Sequence, residues 1–253
     1  MPVALVTGAS SGIGAAIARE LARRGFDLVL VARDRARLER VASGTGATCE
    51  VLPADLAEPE GCAAVEARLR AEPAIDVCVN NAGVGTYGPF HEGDLAAEDR
   101  QVRLNVLALT RLSHAAACAM AARGGGAILN VSSLASFQPI PENATYAATK
   151  AFVTSFTQAL HEELRPFGVR VTALCPGYTR TEFHARAGAD MSSVPGALWQ
   201  DADVVARAGL DALERGRAVC VPGALNRVTA ALASVAPRAV TRKAARVVNG
   251  RHG

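Results

Sequence analysis

Tyr146 and Lys150 stand four positions apart in the stretch ENATYAATKAF. Tyr146 is one of three tyrosines, and Lys150 is one of very few lysines in a chain dominated by arginine. On a helix, side chains at i and i+4 face the same way, so the two would address one site. A phenol with a reference pKa of about 10 is a poor acid or base near neutrality. A nearby ammonium favours the phenolate and lowers that value. A drop of about 3 units requires about 4 kcal/mol, which a solvent-screened pair does not supply. The pair thus suits a proton donor with its tuning cation, provided the site is sheltered; the plain alternative is an aromatic and a solvated charge on a helix. Ser133 closes the run AILNVSS, thirteen residues before Tyr146. Its hydroxyl is placed to donate to a developing negative charge, with Ser132 as the rival. Asn105 sits among apolar neighbours in RQVRLNVLALTRL and needs a hydrogen-bonding partner there.

The elements that must position these groups alternate. Short apolar, β-rich runs fall at residues 4–7, 28–31, 48–52, 76–80, 127–131, 170–174 and 218–221. Helical patterns fall between them at 13–24, 60–70, 95–122, 146–165 and 204–214. Most of the strands are continuously apolar rather than alternating, as strands buried on both faces are. Such alternation gives an α/β fold, a doubly wound parallel sheet of about seven strands with helices on both faces. Ligands then bind beyond the carboxyl ends of the strands.

The first strand runs into LVTGASSGIGAAIA, which opens the first helix. Gly8 suits a tight turn, Gly12 a close backbone approach to a pyrophosphate, and Gly14 close helix packing. The helix N-terminus, with Ser10, Ser11 and Ile13 between the glycines, offers free N–H groups to phosphate. The spacing is G-x3-G-x-G, and its strand–loop–helix placement points to a dinucleotide.

These motifs in combination resemble the short-chain dehydrogenase/reductases of the compact single-domain type, from about Pro2 to Val221. The residues that carry the likeness are TGASSGIG, NNAG, Asn105, Ser133, Tyr146-x3-Lys150, and Pro176–Gly177 before Thr181. The resemblance implies a Rossmann-type fold and hydride transfer between a nicotinamide and a carbonyl or alcohol, with Tyr146 as general acid/base. The positively charged nicotinamide would help lower the phenol pKa. Family register favours Ser133 over Ser132, and implies that Asn105 holds a water connected to Lys150. It places Asp55 and Leu56 at the adenine and Asn81, Ala82 and Gly83 along the cofactor. It further places Pro176, Gly177, the Thr179 backbone and the Thr181 hydroxyl at the nicotinamide and phosphates. Asp55 has a second reading as a helix N-cap. Ser136 and Thr149 depart mildly from the common pattern, which has glycine and serine at these places. At the end of the second strand an NAD enzyme would carry a carboxylate for the ribose 2′-OH. Here that position is Ala32 and Arg33 follows, which suits the 2′-phosphate of NADP(H). Asp34 is the carboxylate that would instead support NAD(H).

The 253 residues, half of them hydrophobic, are ample for one catalytic domain over residues 1–224. Its substrate lid is expected at about residues 182–200, including Gly188, Met191, Pro195 and Gly196. With Tyr87, Phe137, Ile140, Phe183 and Trp199 the lid would make an apolar pocket for a hydrophobic ketone, aldehyde or acyl-type carbonyl. His91, His114, His161 and His184 are dispersed and read as surface or helix positions.

The six cysteines show no C-x-x-C pair and no metal-like cluster, so no metal is expected. Scattered through apolar runs, they read as packing residues of a reducing, cytoplasmic setting, and Met1 runs into a strand rather than a signal peptide. The net charge of +3 is too weak to suggest nucleic acid. Eight basic and no acidic residues follow Glu214, so residues 225–253 read as a basic helical extension. In it Val240, Ala244, Val247 and Val248 fall opposite Arg238, Arg242, Lys243 and Arg246, which suits an anionic membrane or acidic partner; packing on the body or a subunit is the plainer reading. The family expectation is a homodimer or homotetramer. The alternatives to a carbonyl reductase are a dinucleotide-binding sensor or scaffold without turnover, and a sugar-nucleotide enzyme, which needs a larger substrate portion than follows Thr181.

Overall fold

A computed structural model of the chain describes residues 1–235. Seven strands form one parallel sheet: β1 (Val3–Thr7), β2 (Asp27–Ala32), β3 (Cys49–Pro53), β4 (Val77–Asn80), β5 (Gly126–Val131), β6 (Val169–Leu174) and β9 (Val219–Cys220). Their order is β3-β2-β1-β4-β5-β6-β9, and every pairing is parallel. The chain steps from β1 outward to β3, then returns to add β4 on the other side. The switch point therefore lies between the carboxyl ends of β1 and β4, where this fold opens its ligand crevice.

Alternation along each strand sends its residues to two cores. Leu5, Val29, Val31, Cys78, Ile128 and Val171 face one side, and Ala4, Val6, Leu28, Leu30, Val79 and Leu129 the other. Helices α3 (Pro59–Arg70), α5 (Leu109–Ala122) and α6 (Ala144–Leu164) cover the first face. Helices α1 (Gly12–Arg23), α2 (Arg35–Ser43) and α8 (Ala202–Glu214) cover the second. Burial on both faces is why the strands read as unbroken apolar runs. Helix α2 escaped the sequence reading because Leu38 is its one fully buried side chain.

The long helix expected over residues 95–122 is interrupted. Helix α4 (Leu95–Val102) passes into a π-helical turn, Arg103–Ala108, before α5. The span Leu95–Ala122 is long and apolar enough to cross a membrane, but half of its most apolar window is buried inside the protein, as in a core helix. Two-residue strands β7 (Thr179–Arg180) and β8 (Gln200–Asp201) pair in parallel and fasten the base of the lid, which contains the short helix α7 (Phe183–Arg186). Helix α9 (Ala224–Val235) starts with Asn226 donating to Gln200 Oε1 at 3.0 Å and to the Pro222 carbonyl at 2.9 Å. The expected amphipathic pattern at Val240–Val248 lies outside the described residues. All six cysteines are free thiols.

Candidate active site

Strand β5 ends at Val131, and Ser132 and Ser133 follow with opposite fates. Ser132 is buried; its hydroxyl donates to the Lys150 carbonyl at 2.8 Å and contacts Thr154 Oγ1 at 2.7 Å. Ser133 accepts from the Ala135 N–H at 3.1 Å, capping a 3-10 turn, and hydrogen-bonds the Tyr146 hydroxyl. The choice between the two serines is thus a matter of which hydroxyl the fold has already used, and Ser133 is the one at the phenol.

Tyr146 and Lys150 lie on α6 as their spacing predicts, with the lysine Nζ 5.7 Å from the centre of the phenol ring. Lys150 is buried, and its ammonium donates to the Val131 carbonyl at 2.9 Å. Burial pushes the Lys150 ammonium down to about 8. Burial also pushes the Tyr146 phenol up to about 12, against a lowering contribution from the Ser133 hydrogen bond. Within the chain, loss of hydration at the phenol therefore outweighs the Ser133 hydrogen bond. Lowering the phenol requires a further positive charge beside it.

The π turn swings Asn105 inward. Its side-chain amide donates to the Val84 carbonyl at 2.9 Å and to Thr149 Oγ1 at 3.1 Å, while its oxygen accepts from the Val84 N–H at 3.0 Å. Thr149 in turn donates to the Tyr146 carbonyl at 2.8 Å, so the threonine that departs from the common serine has a use here. A Cβ built on Gly83 would stand 3.1 Å from Asn105 Oδ1 and 3.4 Å from Lys150 Nζ. The glycine leaves a small space that the amide oxygen and the ammonium share.

The glycine loop is braced from β4. The Thr7 hydroxyl donates to the Val79 carbonyl and accepts from the N–H groups of Asn81 and Ala82 at 2.9 and 3.0 Å. The Asn81 side chain donates to the carbonyls of Thr7 and Gly8 at 2.9 and 3.3 Å. Gly12 has φ +55, and a Cβ there would meet the Thr181 methyl at 3.1 Å. A Cβ on Gly14 would run into the Gly8 carbonyl. Helices α2 and α4 are capped by Asp34 and Asp94, whereas the Ser11 side chain makes no cap bond to α1 and no acidic residue occupies the first turn. An uncapped, glycine-lined helix start at the switch point fits a dinucleotide's pyrophosphate. Ser10, Ser11 and Ile13 belong to this turn, and Thr181 meets it from the other side.

At the far end, Arg33 is exposed just beyond β2. Asp34 accepts from the Arg37 N–H at 3.0 Å and so caps α2. Asp55 is gripped by Arg100 at 2.7 and 3.0 Å and accepts from the Ala57 N–H at 3.0 Å. Burial favours its neutral form, but Arg100, the Ala57 amide and Arg33 hold its carboxyl below the usual range. The residue before α3 is Glu58, so the N-cap reading of Asp55 is corrected. Leu56, next to it, is buried.

On the other side, the Pro176 carbonyl accepts from the Leu134 N–H at 2.8 Å, tying the Pro176–Gly177 turn to the segment after Ser133. Thr179 is buried and donates to the Gly177 carbonyl at 3.0 Å. The Phe183 ring lies 5.5 Å from the Tyr146 ring. Trp199 packs on Tyr178 and His184 at 5.7 and 5.5 Å. Phe137 and Ile140 are half-buried on the segment joining Ser133 to α6. Tyr87 is more exposed and bonded to Glu142. Among these five, ring contact with Tyr146 is seen for Phe183. His184 lies on helix α7, one of the two readings given for it, and is wedged among Tyr178, Phe183 and Trp199, where burial lowers its pKa.

The short chain dehydrogenase family profile matches residues 2–192. The chain belongs to this family. It is accordingly an oxidoreductase of the alcohol–carbonyl couple. An uncharacterized oxidoreductase of Staphylococcus saprophyticus is 35% identical over 71% of this chain and 79% of its own. A short-chain dehydrogenase from Sphingobium yanoikuyae, solved in complex with NADPH, superposes with a TM-score of 0.83 at 40% identity, over 94% of this chain and 98% of that one. A bulky-bulky ketone specific alcohol dehydrogenase from Comamonas testosteroni gives a TM-score of 0.78 at 37% identity, over 94% and 96%.

Several residues of this dehydrogenase were not legible as site residues. Arg100 reaches Asp55 across 45 positions, and Tyr178 was visible only as part of CPGYTRTEF. Behind the site, Asn80 donates to Asn130 Oδ1 at 2.9 Å, and Asn130 donates to Thr157 Oγ1 at 3.0 Å. Two asparagines inside otherwise apolar strands are the signal that such a ladder exists, because each buried amide requires partners.

Proposed function

We propose that this enzyme is an NADP(H)-dependent carbonyl reductase that interconverts a bulky, apolar ketone and its alcohol. The observation that carries the reading is the buried Lys150 beside Tyr146 and Ser133 at the carboxyl end of β5. Burying an ammonium on one carbonyl is costly, and a protein that merely binds a dinucleotide gains nothing from it.

A nicotinamide, when bound, supplies or accepts the hydride. The chain's own residues manage the oxygen. Ser133 donates a hydrogen bond to the substrate oxygen, and Tyr146 gives it the proton. Lys150 stands beside the resulting phenolate, and a pKa of about 8 lets it pass a proton on near neutrality. Asn105 Oδ1 and Lys150 Nζ border the Gly83 space, which suits a bridging water. Arg33 supports NADP(H), since Asp34 is spent on α2, and the Sphingobium relative holds NADPH. The aromatic group of Phe183, Tyr178, His184 and Trp199 supports an apolar substrate, in line with the name of the Comamonas relative.

The test is NADPH consumption over carbonyls from small keto acids to aryl ketones, with Tyr146→Phe as control. Turnover of the bulky apolar ketones, absent in the variant, is expected; reduction of small charged carbonyls alone would overturn the substrate reading. We also propose self-association through the helices that expose Leu107 and Phe152. Phe152→Asp should lower the mass seen by light scattering, and an unchanged mass would sink that assignment.

A further inference from the structure

The start of the lid carries a charge bridge to the cofactor's phosphate end. Arg37 Nη1 donates to Glu182 Oε2 at 2.8 Å, and Arg186 pairs with the same oxygen. Arg186 Nη1 also lies 3.4 Å from Ser11 Oγ in the glycine loop. Asp34 caps α2 and stands 3.7 Å from Arg37 Nε. These are the charged partners among the described residues: two guanidinium groups shared by one lid carboxylate, with Asp34 held to its own helix. Arg37 lies one helical turn beyond Arg33, at the edge where the 2′-phosphate reading places its phosphate. Glu182 directly precedes Phe183, whose ring meets Tyr146.

We propose that Glu182 sets the cofactor preference by competing with the 2′-phosphate of NADPH for Arg37. The inference rests on the NADP(H) reading of Arg33 and goes beyond it, because it assigns a specificity role to a lid carboxylate and to an arginine on the far side of α2's first turn. Glu182 and Arg186 are exposed and Arg37 is partly so, and such pairs are weakly held, so a phosphate dianion offering several acceptor oxygens can take a guanidinium from one carboxylate. When Arg37 turns to the phosphate, the lid loses one of its ties to α2. NADH, without the phosphate, leaves the bridge in place. The same cofactor group that is recognised is thereby linked, through one peptide unit, to the residue packed on the catalytic phenol.

The experiment measures dissociation constants for NADPH and NADH on the full chain by quenching of Trp199 fluorescence, for the native protein, Glu182→Gln, Arg37→Gln and Arg33→Ala. Glu182→Gln should tighten NADPH roughly fivefold with NADH unchanged, and Arg37→Gln should weaken NADPH alone by roughly the same factor. A merely structural Glu182 would shift both cofactors together. Hydrogen exchange over residues 183–186 should rise on adding NADPH and stay put with NADH. A Glu182→Gln protein whose NADPH-to-NADH ratio matches the native one overturns the proposal. If Arg33→Ala nevertheless moves that ratio, the NADP(H) reading stands without it; if neither moves it, both fall.

Discussion

The proposed catalytic end and the proposed phosphate end of this site are built from opposite materials. Around Lys150 and Asn105 the polar side chains are buried and each is held by a defined partner, on strand ends, a helix and a π turn. Around Arg33, Arg37, Glu182 and Arg186 the charges are solvated, mutually exchangeable and carried by loop and helix starts. In the first region position is fixed, because an unmatched buried group costs about 1–3 kcal/mol. In the second, pairs can be swapped at little cost. Chemistry needs the former and discrimination between similar cofactors can use the latter.

The sharpest way to break this contrast is Tyr146→Phe. It should lower turnover by about 10²–10⁴-fold, the range of a lost general acid, while leaving NADPH affinity nearly native. A comparable loss of cofactor binding would show that the two ends are not separable. Next comes pH. Because the Lys150 pKa in the folded chain, about 8, lies below its ordinary 10.5, the unfolded chain binds more protons between those values. Stability should therefore rise with pH across that window, by on the order of 3 kcal/mol from this residue. Tyr146 acts oppositely above about pH 10, where its raised pKa makes the folded chain bind the extra proton. Lys150→Met should remove the rise in denaturant midpoint between pH 8 and 10, and an unchanged slope would refute the burial cost assigned here. The smallest effect is Arg33→Ala, expected to weaken NADPH by about tenfold and NADH by less than twofold, with no change in melting temperature. Equal loss of both cofactors would remove Arg33 from the phosphate.

The same division explains what could be read from the residues alone. The strands were legible because burial on both faces leaves them continuously apolar, the Tyr146 and Lys150 pair because i and i+4 share a helix face, the glycine loop from its place between strand and helix, and Ser133 from the family resemblance. Asn105 was legible as a polar residue out of place. Ser132 and Ser133 differ by one position; the resemblance favours Ser133, and the packing of α6 on β5 occupies the Ser132 hydroxyl. Arg100 with Asp55, and Arg37 with Glu182, are pairings over 45 and 145 positions, and no local pattern encodes them. The aromatic surroundings of His184 were not legible because its partners come together only once β7 and β8 close the lid's base. The pKa directions were the least legible of all, since they depend on how much water the fold excludes.

The π turn at Arg103–Ala108 has a consequence beyond Asn105. A residue added within a helix advances everything before it by about 100° around the axis relative to everything after. Helix α4 is thus out of phase with α5, and it is this offset that aims Arg100 at Asp55 and Gln101 at the Thr86 backbone, while α5 keeps Leu112 and Ala116 on the sheet. One surplus residue acts as a phase shifter, letting a single rod serve the core with one half and hold Asp55 and the Thr86 backbone with the other.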